Sequence, residues 1–244
     1  MSAVAVSRDG PITRITLNRP EKLNAFNAEL VDGLSDAVAE AEASDTRLIV
    51  FQGSGKGFSG GFDLSDIDAM SDGDLVLRFI RVEQLLQAVY HARVATLALV
   101  HGACYGAAAD LVAACQWRVA TPEARFRMPG SRFGLVLGTA RLTALVGEDR
   151  ARALLLRDKP FGVEEALTAG FLTAAASEDD WPATTDTVLG QVSALDPETF
   201  TALSARKRGD TREADMAALV ASATHGSVKA RVQAYLAEMA AKKS

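Results

Sequence analysis

The stretch Val100–Cys115, VHGACYGAAADLVAAC, reads as a buried strand that runs through a glycine turn into a buried helix of small apolar residues. One carboxylate, Asp110, sits in the middle of it. A buried, unpaired carboxylate costs several kcal/mol, on the order of a whole hydrogen-bond network, so such a group is hydrogen-bonded, protonated, or placed in a cavity where its charge is used. Outward from this stretch the same rhythm recurs. RLIVFQG (47–53) is a short buried strand followed by the glycine-rich GSGKGFSGGFDL (53–64) and the helical DGDLVLRFIRVEQLLQAVYHA (72–92), and ATLALVHG (95–102) is the next buried strand. Strand, glycine turn and helix in alternation predict an α/β fold.

Toward the N-terminus, AVAVSRDGPITRITLN (3–18) alternates about the turn signal Asp9-Gly10-Pro11, the pattern of a hairpin. Asn27 is placed to cap a helix whose apolar positions Leu30, Leu34, Val38 and Ala41 recur at helical spacing. Beyond Cys115, WRVATPEARFRMP (117–129) is strand-like, the loop GSRFGLVLG (130–138) contains three glycines, and ARLTALVGEDRARALLL (140–156) and GVEEALTAG (162–170) are helical. From Trp181 the chain reads as helical and strand-free, with a break at Gly209-Asp210. The expected division is therefore a core over 1–180 and a C-terminal helical region over 181–244.

The 244 residues, 48% hydrophobic and 23% charged, suffice for one large core. A net charge of −5 with no Lys/Arg-rich segment argues against nucleic acid and membrane surfaces as partners, which leaves small molecules. There is no apolar run of membrane-spanning length, and MSAVAVSRDG (1–10) lacks the features of a signal peptide, so a cytoplasmic location is expected. Cys104 and Cys115 have neither metal-ligand spacing nor neighbouring His pairs, so no metal is expected and both read as buried thiols.

Both glycine turns put backbone amides where an anion can reach them. Gly60 and Gly61 precede Phe62, with a helix expected to start near Asp63; Gly102 and Gly106 precede Ala107, whose amide lies in the unsatisfied first turn of the next helix. Two such amides converging on one point make an oxyanion hole.

NRPEKLNAFN (18–27), GFSGGFDL (57–64) and VHGACYGAAADLVAACQWRVATPEARF (100–126), in that order and over roughly residues 3–175, resemble the crotonase superfamily, also called the enoyl-CoA hydratase/isomerase family. The resemblance implies a spiral of repeated β-β-α units with a helical C-terminal region, an acyl-CoA substrate, and assembly as a homotrimer or a hexamer built as a dimer of trimers. Met216, Leu219, Val220, Val232 and Leu236 would make the subunit contact. It places the thioester oxygen between the amides of Phe62 and Ala107, and coenzyme A near Lys22, Leu23 and Ala25 and near Gly61, Asp63 and Leu64. Asp63 also suits a helix cap. No separate cofactor is implied, because coenzyme A is part of the substrate.

Two departures from the family pattern bear on chemistry. Ala107 stands where the family usually has glycine, which keeps the amide and adds a methyl group. Asp110 matches the first catalytic glutamate, whereas the second falls at Gly130 in FRMPGSRFG (126–134), where no carboxylate remains, and the following loop is about three residues shorter than in hydratases. With one carboxylate, removal and return of a proton (double-bond isomerisation) is favoured over addition of water. The alternatives are a hydratase using a substitute from Ser131, Arg132, Arg127, Thr139, Arg78, Arg81 or His91, or a non-catalytic acyl-CoA-binding protein. His101 reads as support for its glycine turn and Cys104 as packing.

Overall fold

In the computed structural model, which describes residues 2–242 apart from the side chains of residues 207 and 208, the alternating N-terminus forms an antiparallel hairpin of Val4–Asp9 (β1) and Ile12–Leu17 (β2), with Val4 opposite Leu17. Helix Ala28–Glu42 (α1) follows, and the Asn27 side chain accepts the Leu30 amide at 2.9 Å, as its cap position requires. Leu30, Leu34, Val38 and Ala41 are all buried on one face of it. Leu48–Gly53 (β3) lies parallel to β2, and Ala95–Val100 (β4) lies parallel to β3 after the long helix Asp72–Tyr90 (α2). These parallel strands are covered on both faces, which is why they read as continuous apolar runs. Their alternation still sorts the faces. Leu48, Val50, Leu97 and Leu99 pack in one cluster, while Ile49, Phe51, Ala98 and Val100 pack in another with α1 and α2.

Residues 100–115 are more divided than their sequence suggests. After β4 the chain turns at Gly102, and Ala103–Tyr105 forms a short strand (β5) of a second sheet before helix Ala107–Ala114 (α3) begins. The expected single strand over 117–129 is likewise two. Trp117–Ala120 (β6) continues the first sheet beside β4, and Arg125–Arg127 (β7) pairs in parallel with β5. Pro122, just past the last pairing of Thr121 with Val100, has no N–H to extend the ladder, so the chain changes sheets there. Helices Thr139–Val146 (α4) and Glu148–Leu156 (α5), strand Phe161–Gly162 (β8), helix Val163–Ala169 (α6) and strand Ala174–Ala175 (β9) complete this part. The larger sheet has the order β1-β2-β3-β4-β6-β9 and the smaller β5-β7-β8.

Four helices follow: Trp181–Ser193 (α7), Pro197–Arg208 (α8), Arg212–Thr224 (α9) and Val228–Ala241 (α10). Trp181, Val188 and Val192 of α7 cover the Leu48/Leu97 face of the sheet. Helices α9 and α10 fold back so that Leu219, Ala223, Val228 and Val232 pack with Ile67, Leu75 and Phe79. Leu219 and Val232, expected at a contact between subunits, are thus fully buried within their own chain. Their apolar spacing is met by the chain's own α2 face, and Met216 and Leu236 pack partly against the same cluster. Among the described residues no helix is long and apolar enough to cross a membrane.

Candidate active site

The loop after β3 is held by single bridges instead of a helix. Phe26 donates its N–H to the Gly61 carbonyl (2.7 Å), and Asp63 returns its own to the Phe26 carbonyl (3.1 Å). On an extended segment successive groups face opposite ways, so the N–H of Phe62, between these two bonds, faces away from Phe26 and has no acceptor among the described residues. Gly61 makes this path possible: it has φ +88°, and a Cβ there would lie 2.4 Å from the Tyr105 carbonyl oxygen. The Phe62 ring is held by Phe79 (centroids 4.4 Å) and by the Arg78 guanidinium 4.3 Å above it, and Arg78 also donates to the carbonyls of Phe26 and Asp63.

On the second loop, Gly106 donates to the Arg127 carbonyl (2.8 Å), and the Asp110 amide closes the first turn of α3 onto the Gly106 carbonyl (3.0 Å). Ala107 is the first residue of that helix, and its N–H also has no acceptor among the described residues. Phe62 and Ala107 line one cavity of about 180 Å³. Two unsatisfied donors on one cavity suit an oxygen that gains negative charge.

Asp110 lines the same cavity, 9% exposed, and its carboxyl makes no hydrogen bond among the described residues. Burial raises its pKa to about 8, against the pull of the Arg141 charge and with the Glu83 charge adding to the rise. Its position is set by Gly138, the residue before α4. A Cβ on Gly138, which has φ +67°, would fall on Asp110 Oδ1. Behind this contact Arg141 makes a two-pronged pair with Glu83 of α2 and donates to Asp215 of α9 at 3.0 Å. Burial opposes the Arg141 cation, but the hydrogen bonds it donates to Glu83 and the charges of Glu83, Asp215 and Asp110 outweigh it and raise its pKa.

The rest of the lining is mostly apolar, with Leu64, Phe79, Met128, Phe133, Leu135, Leu137 and Leu155 on it, and Tyr235 entering from α10. Gly130 is on this wall, and Asp110 is the one carboxylate among the described lining residues.

Of the residues singled out in the sequence, Phe62, Leu64, Ala107 and Asp110 meet on the cavity, with Gly61 directly behind Phe62. Asp63 turns away. Its carboxylate takes Arg19 (3.0 Å) and the Ser65 hydroxyl and amide; these bonds outweigh burial and lower its pKa. It caps no helix, because α2 begins only at Asp72, where Ser71 and Asp74 form the cap. Lys22, Leu23 and Ala25 are outside the cavity lining: Lys22 is exposed, Leu23 packs beside Gly60, and the Ala25 carbonyl already accepts Arg19. Ser131, Thr139 and Arg127 line the cavity, although the Ser131 hydroxyl is committed to the Leu155 carbonyl. Arg132 pairs with Asp158 and Glu238, Arg81 pairs with Asp32, and His91 lines a separate pocket. His101 Nε2 bonds the Gly55 carbonyl (3.0 Å), on the other glycine-rich loop instead of its own turn, and Cys104 is buried. Among the described residues no cluster of His, Cys, Asp or Glu could hold a metal ion.

Sequence reasoning missed Tyr235, Gly138 and the Glu83–Arg141–Asp215 network. One signal was available: Glu83 and Arg141 each interrupt the apolar stripe of an amphipathic helix, the mark of a buried pair.

The family model for enoyl-CoA hydratase/isomerase matches residues 7–233. The Mycobacterium leprae protein named "Probable enoyl-CoA hydratase echA6" is 34% identical over 190 residues, 74% of this chain and 75% of its own. A solved structure from Bordetella parapertussis, named for the enoyl-CoA hydratase/isomerase group, is 46% identical with a TM-score of 0.95 and covers 97% of this chain and 99% of that one. The enoyl-CoA hydratase of Bacillus halodurans is 25% identical with a TM-score of 0.84, covering 96% of this chain and all of its own. With a parallel-rich six-stranded sheet beside a smaller one, the paired glycine turns and a match along almost the whole length, the chain belongs to the enoyl-CoA hydratase/isomerase family of the crotonase superfamily.

Proposed function

We propose that the protein binds an acyl-CoA thioester with the carbonyl oxygen between the amides of Phe62 and Ala107, and that Asp110 alone moves the proton, so that double-bond isomerisation outruns hydration. The observation that carries this reading is that Asp110 is the one carboxylate among the described cavity-lining residues and has no hydrogen-bond partner among them. From a 3-enoyl thioester, ionised Asp110 removes a proton from C2. The electron pair spreads to the thioester oxygen as a dienolate held by the two amides, and the protonated carboxyl returns its proton at C4 to give the 2-enoyl product. A carboxyl with pKa about 8 is a stronger base than an ordinary aspartate and is mostly protonated at neutral pH.

Asp110→Asn keeps the shape and removes the base. It is expected to lower 3-enoyl-CoA isomerisation by about 100- to 10,000-fold, with binding of the thioester retained. In the wild type kcat/KM should rise with pH and level off above about 8, since only the ionised form accepts a proton. Hydration of 2-enoyl-CoA faster than isomerisation of 3-enoyl-CoA would overturn this order of activities, and binding of both without turnover would make the protein a carrier of acyl-CoA.

The oxyanion site has its own test. Proline is tolerated at the first position of a helix but has no N–H, so Ala107→Pro should retain the fold and lose about 100- to 1,000-fold in kcat. Unchanged turnover with a normal melting curve would remove Ala107 from the site.

A further inference from the structure

Arg127 is the one cation on the cavity among the described lining residues, set in a wall of Met128, Leu155 and other apolar side chains. It is largely buried, with 15% of its side chain exposed, and its Nε is buried without a hydrogen-bond partner. The carboxylates near it are already engaged. Asp158 takes Lys242 at 2.8 Å and Arg132 at 3.3 Å, and Glu238 takes the same two cations at 2.8 and 3.1 Å. Arg127 reaches Asp158 only at 3.9 Å, and its Nη2 otherwise meets the Met239 sulfur at 3.6 Å. Three cations therefore share two carboxylates, and the surplus charge is on the most buried of the three. A guanidinium held against apolar surface with an unused donor is costly unless an anion completes it, and guanidinium geometry matches a carboxylate. The wall three residues further on, at Gly130, carries no acid that could do so.

We propose that Arg127 is a subsite for a carboxylate carried on the acyl group, so that the preferred ligands are CoA thioesters of dicarboxylic acids. This rests on the acyl-CoA reading above but not on the isomerase chemistry, and binding tests it without turnover. Glutaryl-CoA, its terminal carboxamide analogue, hexanoyl-CoA and free coenzyme A are titrated calorimetrically into the wild type, Arg127→Met and Arg127→Lys. A hydrogen-bonded charge pair of this kind predicts that the wild type binds glutaryl-CoA about 10- to 100-fold more tightly than the carboxamide, a comparison that needs no mutation. Arg127→Met should erase that preference, Arg127→Lys should keep part of it, and hexanoyl-CoA affinity should change by less than about twofold. Equal affinity of the wild type for acid and amide would overturn the proposal. An equal loss for all four ligands in Arg127→Met would also overturn it, assigning Arg127 to a coenzyme A phosphate. Failure of every thioester to bind would remove the acyl-CoA reading together with it, whereas selective binding without isomerisation would leave the Arg127 subsite standing and remove only the proposed chemistry.

Discussion

Asp110→Asn is expected to make the protein more stable at alkaline pH, by an amount of order 5 kcal/mol relative to the same comparison at pH 4. In the unfolded chain this carboxyl titrates near the ordinary aspartate value of about 3.9, whereas in the fold burial holds it protonated up to about 8. Between these two values the folded state binds one more proton than the unfolded state, so wild-type stability falls as pH rises, by about 1.4 kcal/mol per pH unit from this group. Below pH 4 the carboxyl is protonated in both states and the term is fully favourable; above pH 8 it is ionised in both and the benefit is gone. Asparagine has no such dependence. Chemical denaturation of wild type and variant from pH 4 to 9 should therefore give a difference that widens steadily with pH and then levels off. Other titrating groups cancel in that comparison. A difference independent of pH would mean that Asp110 ionises normally in the fold and would remove the physical basis for its use as an elevated base. Together with the expected loss of turnover, the result would mark a residue kept for activity at the expense of stability.

Arg141→Met is expected to cost about 3–5 kcal/mol of stability, because it leaves Glu83 and Asp215 facing each other with no cation between them. The Arg141 and Glu83 side chains are each 1% exposed, and Asp215 is 11% exposed, so water replaces little of what is lost. The network joins α2, α4 and α9, and α4 follows directly on the glycine that backs the Asp110 carboxyl. Removing the cation also removes the charge that restrains the Asp110 pKa, so the rise of activity with pH should move to higher pH in whatever variant protein remains folded. Combining Arg141→Met with Glu83→Gln and Asp215→Asn should restore much of the stability, since no buried charge is then left unpaired. If the single variant melts within about 1 kcal/mol of the wild type, the network is a solvated surface cluster in energetic terms.

The part of the fold legible in the amino-acid order is the part that short-range geometry controls. Apolar runs placed β3 and β4, the 3.6-residue period placed α1 and α2, and Asn27 placed the start of α1, because backbone dihedrals and caps depend on neighbours a few residues away. The order of three motifs was enough to place the family and to bring Phe62, Ala107 and Asp110 together as candidates. The switch of sheets at Gly102 and again after Thr121 was not legible, since a three-residue strand has too little periodicity to distinguish it from a turn. The surroundings of Asp110 come from long-range packing. Gly138 meets it across 28 positions of sequence, Glu83 and Asp215 reach Arg141 across 58 and 74, and Tyr235 closes the cavity from the last helix. No local pattern encodes such contacts, because each half is equally compatible with a solvated surface until the chain has packed. The same packing turned Leu219 and Val232 from an expected subunit contact into the chain's own core, since an apolar helical stripe specifies that it must be buried but not which surface buries it.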